Sequence, residues 1–147
     1  MNIPIKRLND KAVLPTYQTE HSAGMDLTAC IDEPVVIAPH GRVIVPTGLA
    51  VSLPSGYEAQ IRGRSGMAAK FGVMPANGVG TIDADYRGEV GVILLNTSDE
   101  PFTVEPGMRV AQMVIARYEK ISWDEVAVLD ETKRGAGGYG STGVHTI

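Results

Sequence analysis

The chain of 147 residues has a single cysteine, Cys30, so it cannot form an intramolecular disulfide and offers no cysteine-based zinc site. It has no apolar run long enough to span a membrane, and residues 1–15 lack the apolar core of a signal peptide. It has no run of basic residues, and its net charge of −4 argues against a general nucleic-acid-binding function. These absences predict a protein of the reducing cytoplasm that binds neither membrane nor nucleic acid.

The chain does contain the turn residues that are typical of an all-β protein. Its 17 glycines and nine prolines separate short runs rich in valine and isoleucine, at 35–37, 43–45 and 109–118, and a run at 57–62 in which apolar and polar residues alternate. Many short strands with regular turns predict a sandwich, a jelly roll or a small barrel. A chain of this length with 44% hydrophobic residues is expected to form one domain with one core.

Two segments have a composition that suits a helix. Ser65–Phe71, with the sequence SGMAAKF, predicts one to two turns ended by Gly72. Ser122–Glu125 matches a capping box, but the alternating valines and alanine that follow are equally typical of an extended arm.

Residues 78–96 form the most unusual stretch of the sequence. Gly78–Asp83 and Glu89–Leu95 are predicted to be the strands of a hairpin, joined by the polar turn ADYRG. A hairpin requires a turn residue such as Gly88, but it does not require several carboxylates and a tyrosine beside it. This surplus of polar side chains predicts a functional site.

Other polar residues stand where the strand pattern does not require them. Arg64 and Ser65 precede the short helix, where a guanidinium, a hydroxyl and free N–H groups favour an anion; an ordinary N-cap serine is the alternative. Gln112 occupies an apolar position of its strand, although a backbone partner would explain it equally well. Asn77 fits a turn residue, and Asp26 fits either a structural carboxylate or a group facing a cation.

The composition changes after Lys133, where the sequence RGAGGYGSTG has five glycines in ten residues. A tail of this kind is expected to be mobile when alone. It nevertheless carries side chains suited to ligand binding, which are Arg134, Tyr139, Ser141 and Thr142.

Together these features indicate nucleoside triphosphate chemistry without a Walker motif. Cations, hydroxyls and backbone donors suit a polyphosphate, an aromatic ring suits a base, and a carboxylate suits a water that must lose a proton. Gly135–Gly140 matches the dinucleotide pattern GxGxxG but follows no βαβ strand. Asp83–Gly88 begins like a calcium loop, but Arg87 occupies a ligand position.

The chain resembles the homotrimeric dUTPase family, whose five motifs all occur in order. They are AGMDLTA at 23–29, GRSGMAAK at 63–70, NGVGTIDADYRGEVGV at 77–92, GMRVAQMVI at 107–115 and RGAGGYGSTG at 134–143. The resemblance implies a jelly-roll domain of the dUTPase-like β-clip type over residues 1–133, with a flexible glycine-rich lid over residues 134–147. It also implies a homotrimer with active sites at the subunit interfaces.

The resemblance implies hydrolysis of dUTP to dUMP and pyrophosphate, which keeps uracil out of DNA and supplies dUMP for thymidylate synthesis. Asp83 is expected to activate the water for in-line attack on the α-phosphorus, and Tyr86 to exclude a 2′-hydroxyl. Mg²⁺ is expected to be held mainly by the triphosphate and to reach Asp26 through water. The tail would close over the nucleotide from a neighbouring subunit, with Arg134 at the γ-phosphate and Tyr139, where the family usually has Phe, on the uracil.

The other site residues implied by the resemblance fall into three groups. They are Asn77, Gly80, Thr81, Ile82 and Gly91 for the uracil, Arg64, Ser65, Gly66 and Gln112 for the phosphates, and Gly140, Ser141 and Thr142 in the lid.

Two alternative functions share this scaffold. A dCTP deaminase-like enzyme is disfavoured because Gly66 and Ala69 replace residues of that branch, and because Ile93 stands where its catalytic glutamate would be. A catalytically silent dUTP-binding or regulatory protein is disfavoured because it would not need the carboxylate of Asp83.

Overall fold

The chain folds into short β-strands with one short helix. The structure is a computed structural model that describes residues 1–143. In chain order the elements are β1 (Ile5–Arg7), β2 (Met25–Thr28), β3 (Val35–Ile37), β4 (Arg42–Pro46), β5 (Leu49–Val51), β6 (Tyr57–Arg62), α1 (Ser65–Phe71), β7 (Val73–Pro75), β8 (Gly80–Ile82), β9 (Gly91–Asn96), β10 (Phe102–Val104) and β11 (Arg109–Arg117). The all-β prediction with one short helix is therefore confirmed for the described residues.

Two sheets of more than two strands supply most of the framework. The larger has the order β2-β11-β6-β8 and the smaller has the order β4-β9-β7, while β1-β5 and β10-β3 form two-stranded sheets. Every strand pair is antiparallel. The long strand β11 pairs with β2 on one side and β6 on the other, so the first and fourth sequence motifs lie side by side in one sheet, and β6 leads into the second.

One hydrophobic core lies between these sheets. Alternate residues of β6 and β9 point into it, and Ala59, Ile61, Val92 and Leu94 are all buried. The alternation follows from the two-residue period of a strand. Burying one side chain as large as Leu94 contributes about 1.5–3 kcal/mol relative to leaving it exposed.

The predicted hairpin over residues 78–96 is wrong. Both strands exist, as β8 and β9, but β8 pairs with β6 whereas β9 pairs with β4 and β7. Because β9 already has a neighbour on each edge, it has no free edge to offer β8. The two strands therefore diverge into different sheets, and residues 83–90 bridge the gap between them.

The predicted helix at Ser65–Phe71 is confirmed, and of the two interpretations of the segment from Ser122 the extended arm is the correct one. Gly72 ends α1 in the left-handed conformation with φ 65°, and its N–H donates to the carbonyl of Ala68 at 3.1 Å. The capping-box segment Ser122–Glu125 has no helical turn. Trp123 and Leu129 are 93% and 79% exposed, so a short helix there would have no apolar surface to pack against. At seven residues, α1 is also too short to cross a bilayer, and no other helix occurs among residues 1–143.

Candidate active site

The first cavity lies between the diverging strands β8 and β9. Its volume is about 250 Å³, and its lining residues are Ile61, Asn77, Gly80, Thr81, Ile82, Asp83, Tyr86, Glu89, Gly91 and Ile93. Strand β8 is the edge of its sheet, so the backbone groups on its outer side are free of ladder bonds and are available to a ligand. Gly80 allows β8 to approach β6 this closely, because a Cβ at Gly80 would lie 3.0 Å from the Cβ of Ile61.

The turn after β8 is tied together by its own hydrogen bonds. The hydroxyl of Tyr86 donates to the carbonyl of Glu89 at 3.0 Å, and the Tyr86 ring covers Gly88, where any Cβ would overlap it. The Arg87 guanidinium donates to the carbonyls of Ala84 at 2.7 Å and Tyr86 at 3.0 Å. Arg87 therefore stabilises the turn from within, and the Tyr86 ring forms part of the cavity wall.

Glu89 anchors the far end of this turn to the body of the protein. Its Oε1 accepts a hydrogen bond from the backbone N–H of Gly48 at 2.8 Å. The next residue, Val90, is fully buried; its N–H donates to Leu49 and its carbonyl accepts from the hydroxyl of Thr47. The sequence pattern missed this anchor because the two partners lie 41 residues apart.

The Gly48 segment also packs against the only cysteine of the chain. Gly48 has φ 68°, and a Cβ there would lie 2.8 Å from the sulfur of Cys30. Burial raises the pKa of the Cys30 thiol, and the nearby carboxylate of Glu89 raises this pKa further. Cys30 is therefore held as a neutral thiol beneath the turn, not as a reactive thiolate.

Asp83 stands at the mouth of the first cavity with its carboxylate free. It also borders a second, more open cavity of about 750 Å³ that is lined in part by Ala84, Asp85 and Tyr118. Within residues 1–143, the Asp83 carboxylate makes neither an ion pair nor a hydrogen bond, whereas its backbone carbonyl accepts from Tyr86. A free exposed carboxylate beside a cavity has the properties that a general base needs.

A third cavity of about 300 Å³ contains the residues predicted to bind phosphate. Its lining residues are Asp26, Arg64, Ser65, Gly66, Met67, Lys70, Phe71 and Gln112. The N-cap of α1 is Arg64, not Ser65, so the interpretation of Ser65 as an ordinary N-cap serine is wrong. Ser65 is the first helical residue, and its hydroxyl forms no capping bond within the described part of the chain.

Asp26 forms a double ion pair at the edge of this cavity. Its Oδ1 accepts from Nε of Arg64 and its Oδ2 accepts from Nη1 of Arg109, both at 3.1 Å. Arg64 also donates to the carbonyl of Arg109 at 3.2 Å. Because the Asp26 side chain is only 15% exposed, this network fixes the direction of the Arg64 guanidinium.

The acidic residues do not form a metal cage by themselves. Residues 1–143 contain no cluster of three or more His, Cys, Asp or Glu side chains that could hold a metal ion. Both oxygens of Asp26 already accept from guanidinium groups. This donor set fits an ion whose inner ligands are the phosphates of a substrate and water, with Asp26 in the outer sphere.

Gln112 links the third cavity to the first sequence motif. Its Nε2 donates to the carbonyl of Gly63 at 2.9 Å, so half of the amide is satisfied by the backbone, as the alternative interpretation proposed. Its Oε1 packs directly on Gly24, where any Cβ would overlap that oxygen. Gly24 is therefore required for the observed position of Gln112.

Two residues of the predicted uracil site occupy different surroundings. Asn77 is exposed in the turn before β8 and lines the first cavity, as expected. Gly91 also borders that cavity, but a Cβ at Gly91 would lie 2.9 Å from Cγ2 of Ile44 on β4. The missing side chain of Gly91 thus makes room for Ile44 on the neighbouring strand.

Within one chain, the tail residues 134–143 line neither the first nor the third cavity. Arg134 donates from Nε to the carbonyl of Gly137 at 2.8 Å, and Tyr139 is fully exposed with φ 50°. The backbone N–H of Ser141 bonds to Gly138, and Gly140 and Thr142 belong to the same turns. The lid was predicted to extend to residue 147, and residues 144–147 lie outside the described part.

The chain resembles known proteins over nearly its whole length. A sequence model of the dUTPase family matches residues 10–143. A deoxyuridine 5′-triphosphate nucleotidohydrolase from Rickettsia felis is 56% identical over 143 residues, covering 97% of each chain. The solved dUTPase of Staphylococcus bacteriophage 80alpha with dUPNHPP has a TM-score of 0.87 and 27% identity, covering 97% of this chain and 99% of that chain.

A variant dUTPase from phage phi11 of S. aureus, whose structure reveals the coordination of a structural Mg(II) ion, has a TM-score of 0.78. It covers 87% of this chain and 98% of that chain at 23% identity, so this likeness shows the fold alone.

Proposed function

The chain belongs to the dUTPase family, and we propose that it hydrolyses dUTP to dUMP and pyrophosphate by using the first and third cavities together. Such a reaction removes dUTP before it can enter DNA and supplies dUMP. The assignment of residues rests on the cavity between β8 and β9. The free edge of β8, the Tyr86 ring and the Asp83 carboxylate, which is unpaired within residues 1–143, all border this cavity.

The free edge of β8 suits the flat, polar edge of a uracil ring. The outward-facing backbone N–H and C=O groups along Gly80, Thr81 and Ile82 can pair with the base, and Asn77 adds an amide at the same cavity. Tyr86 then lies under the deoxyribose, where its ring leaves no room for a 2′-hydroxyl. The site therefore discriminates against ribonucleotides by steric exclusion, because the hydrogen bond from the Tyr86 hydroxyl to Glu89 holds the ring in place.

Asp83 acts as the general base in this proposal. Its carboxylate accepts a proton from a water molecule while the water oxygen attacks the α-phosphorus in line with the leaving group. The new P–O bond forms as the bond to the bridging oxygen breaks, and pyrophosphate leaves. The absence of an ion pair to Asp83 among residues 1–143 supports this role, because a paired carboxylate is a weaker base.

The third cavity holds the phosphates. Arg64 supplies a guanidinium whose direction Asp26 fixes, while Ser65, the backbone of Gly66 and Gln112 supply neutral donors. Asp26 would hold Mg²⁺ in its outer sphere while the phosphates of the substrate supply the inner ligands, and the ion would neutralise part of the triphosphate charge. Preorganised donors of this kind account for much of the acceleration in phosphoryl transfer.

We further propose that the active site is completed in a homotrimer. The first and third cavities share no lining residue, and each is at or below the lower end of the range of about 300–1,000 Å³ for sites of drug-sized ligands. A site that joins the first cavity of one subunit to the third cavity of another accommodates a whole nucleoside triphosphate. The tail, from Arg134 to Thr142, then closes over the bound nucleotide.

The test is pyrophosphate release with Mg²⁺ from dUTP, dCTP, dTTP and UTP in parallel. We expect release from dUTP alone. Ammonia release from dCTP would instead indicate the deaminase alternative, which the apolar side chain of Ile93 in the first cavity disfavours. Binding of dUTP without any pyrophosphate release would indicate a silent binding protein and would contradict the assignment of Asp83.

A further inference from the structure

Glu89 lines the first cavity but is not among the groups that the proposed reaction uses. It is held at both ends. Its carboxylate accepts the Gly48 N–H at 2.8 Å, and its backbone carbonyl accepts the hydroxyl of Tyr86 at 3.0 Å. Glu89 therefore connects the Tyr86 hydroxyl to the segment around Gly48.

The support behind Glu89 is rigid. Gly48 is fixed by its left-handed conformation and by a hydrogen bond from Leu8 to its carbonyl at 2.8 Å. The neighbouring Thr47 is fully buried, and its hydroxyl donates to the carbonyl of Val90 at 2.6 Å. Because the Glu89 carboxylate is bonded to the rigid Gly48 segment, it helps to fix the position of the Glu89 backbone carbonyl.

The other attachments of the turn act at its ends, where the Val90 N–H donates to Leu49 at 2.8 Å and Ala84 packs against the core. Within residues 1–143, Arg87 donates to carbonyls of the turn itself, those of Ala84 and Tyr86. Tyr86 is 44% exposed, so packing covers only part of its ring. Without Glu89 bound to Gly48, the segment before Val90 would lose one of its attachments to the fold, so the Tyr86 ring would be free to shift relative to β8.

We infer that Glu89 is a positioning residue. By fixing the position of the Tyr86 ring under the sugar, it determines how strongly the site discriminates against ribonucleotides. The inference rests on the proposed function, since it presupposes that Tyr86 contacts the deoxyribose. It concerns the sugar only, because β8, which reads the base, is held by its pairing with β6.

Two substitutions separate the hydrogen bond from the charge. Glu89→Gln keeps a carbonyl oxygen that can accept from Gly48 and removes the negative charge. Glu89→Ala removes the acceptor and leaves the Gly48 N–H without its partner. Tyr86→Phe removes the hydroxyl that bonds Glu89 and retains the ring.

The measurement is kcat/KM for dUTP, UTP and dCTP with each variant. A loss of folded protein lowers all three values equally, so the ratio of dUTP to UTP does not depend on the active fraction. In Glu89→Ala we expect this ratio to fall about tenfold or more, because a displacement of the order of 1 Å at a site has effects of this size. In Glu89→Gln it should stay within about twofold of the parent, because the acceptor is retained.

The ratio of dUTP to dCTP serves as the internal control and should not change in any variant. Combining Glu89→Ala with Tyr86→Phe should cost less than the sum of the two single effects, since both break one connection. An unchanged dUTP-to-UTP ratio in Glu89→Ala would overturn the inference and leave the proposed function standing. If the parent itself did not prefer dUTP to UTP, the proposed function would fail instead.

Discussion

At the scale of single residues, glycines leave the space that the polar groups of the site occupy. Gly80 admits β8 next to Ile61, Gly88 lies beneath the ring of Tyr86, and Gly24 lies beneath the amide of Gln112. Each of these positions would meet a neighbouring atom too closely if it carried a Cβ. The motifs are rich in glycine for this reason, as well as for the conformational freedom that turns require.

Gly24→Ala tests this view at the third cavity. The added methyl group should displace the Gln112 amide from the carbonyl of Gly63 and leave the backbone fold intact, because Gly24 does not adopt a left-handed conformation. We expect KM for dUTP to rise about tenfold, the effect of losing one hydrogen bond to a charged group, with a smaller change in kcat. Steady-state kinetics and a thermal melt measure the two effects separately.

Gln112→Ala is the control for this substitution. If Gly24→Ala acts through Gln112, adding it to Gln112→Ala should cause little further loss. A large additional loss in the double variant would show that Gly24 acts by another route.

Sequence reasoning at the residue scale found the polar side chains but not their partners. Asp26, Arg64 and Gln112 stood out because they interrupt apolar alternation or flank the helix. The ion pair of Asp26 with Arg109 joins residues 83 positions apart, and the bond from Glu89 to Gly48 joins residues 41 positions apart. Local patterns carry no information about such contacts, because the register of the sheets creates them.

At the scale of elements, the short strands and α1 were predictable because their signals are local. Val35–Ile37, Tyr57–Arg62 and Ser65–Phe71 have the predicted bounds, since turn residues and alternation define them. The hairpin over 78–96 was not predictable, since its strands choose their partners by competition with β4, β6 and β7. Their divergence creates the first cavity, whereas a paired hairpin would have used its backbone groups internally.

The tail is the element whose role is easiest to separate from folding. Truncation after Lys133 should leave the melting temperature within a few degrees of the parent, because residues 134–143 bond to one another and to Thr132 and contribute no residue to the core. Activity should fall by at least about a hundredfold, since the proposed function needs the tail to close over the nucleotide and Arg134 to supply a cation. A melting temperature far below that of the parent would make the tail a structural element.

At the scale of the whole molecule, the exposed apolar side chains and the division of the site between two cavities both favour an assembly of several copies of the chain. The extended segment after β11 exposes apolar side chains, including Ile121 at 61%, Trp123 at 93% and Val128 at 84%. Side chains this apolar are expected to be covered by another protein surface. An assembly of copies would cover them, and the proposed composite site needs such an assembly.

Subunit mixing tests this composite site. Asp83→Asn removes the proposed base in the first cavity and Arg64→Gln removes the cation in the third, so each variant alone should lose about 10²–10⁴-fold in kcat. When equal amounts are mixed in denaturant and refolded, sites that combine two subunits should recover about a quarter of parental activity, because each cavity is intact in half of the copies. Sites built within one chain would recover nothing. The matched control refolds the double variant with the parent: composite sites again give about a quarter, whereas single-chain sites give about half.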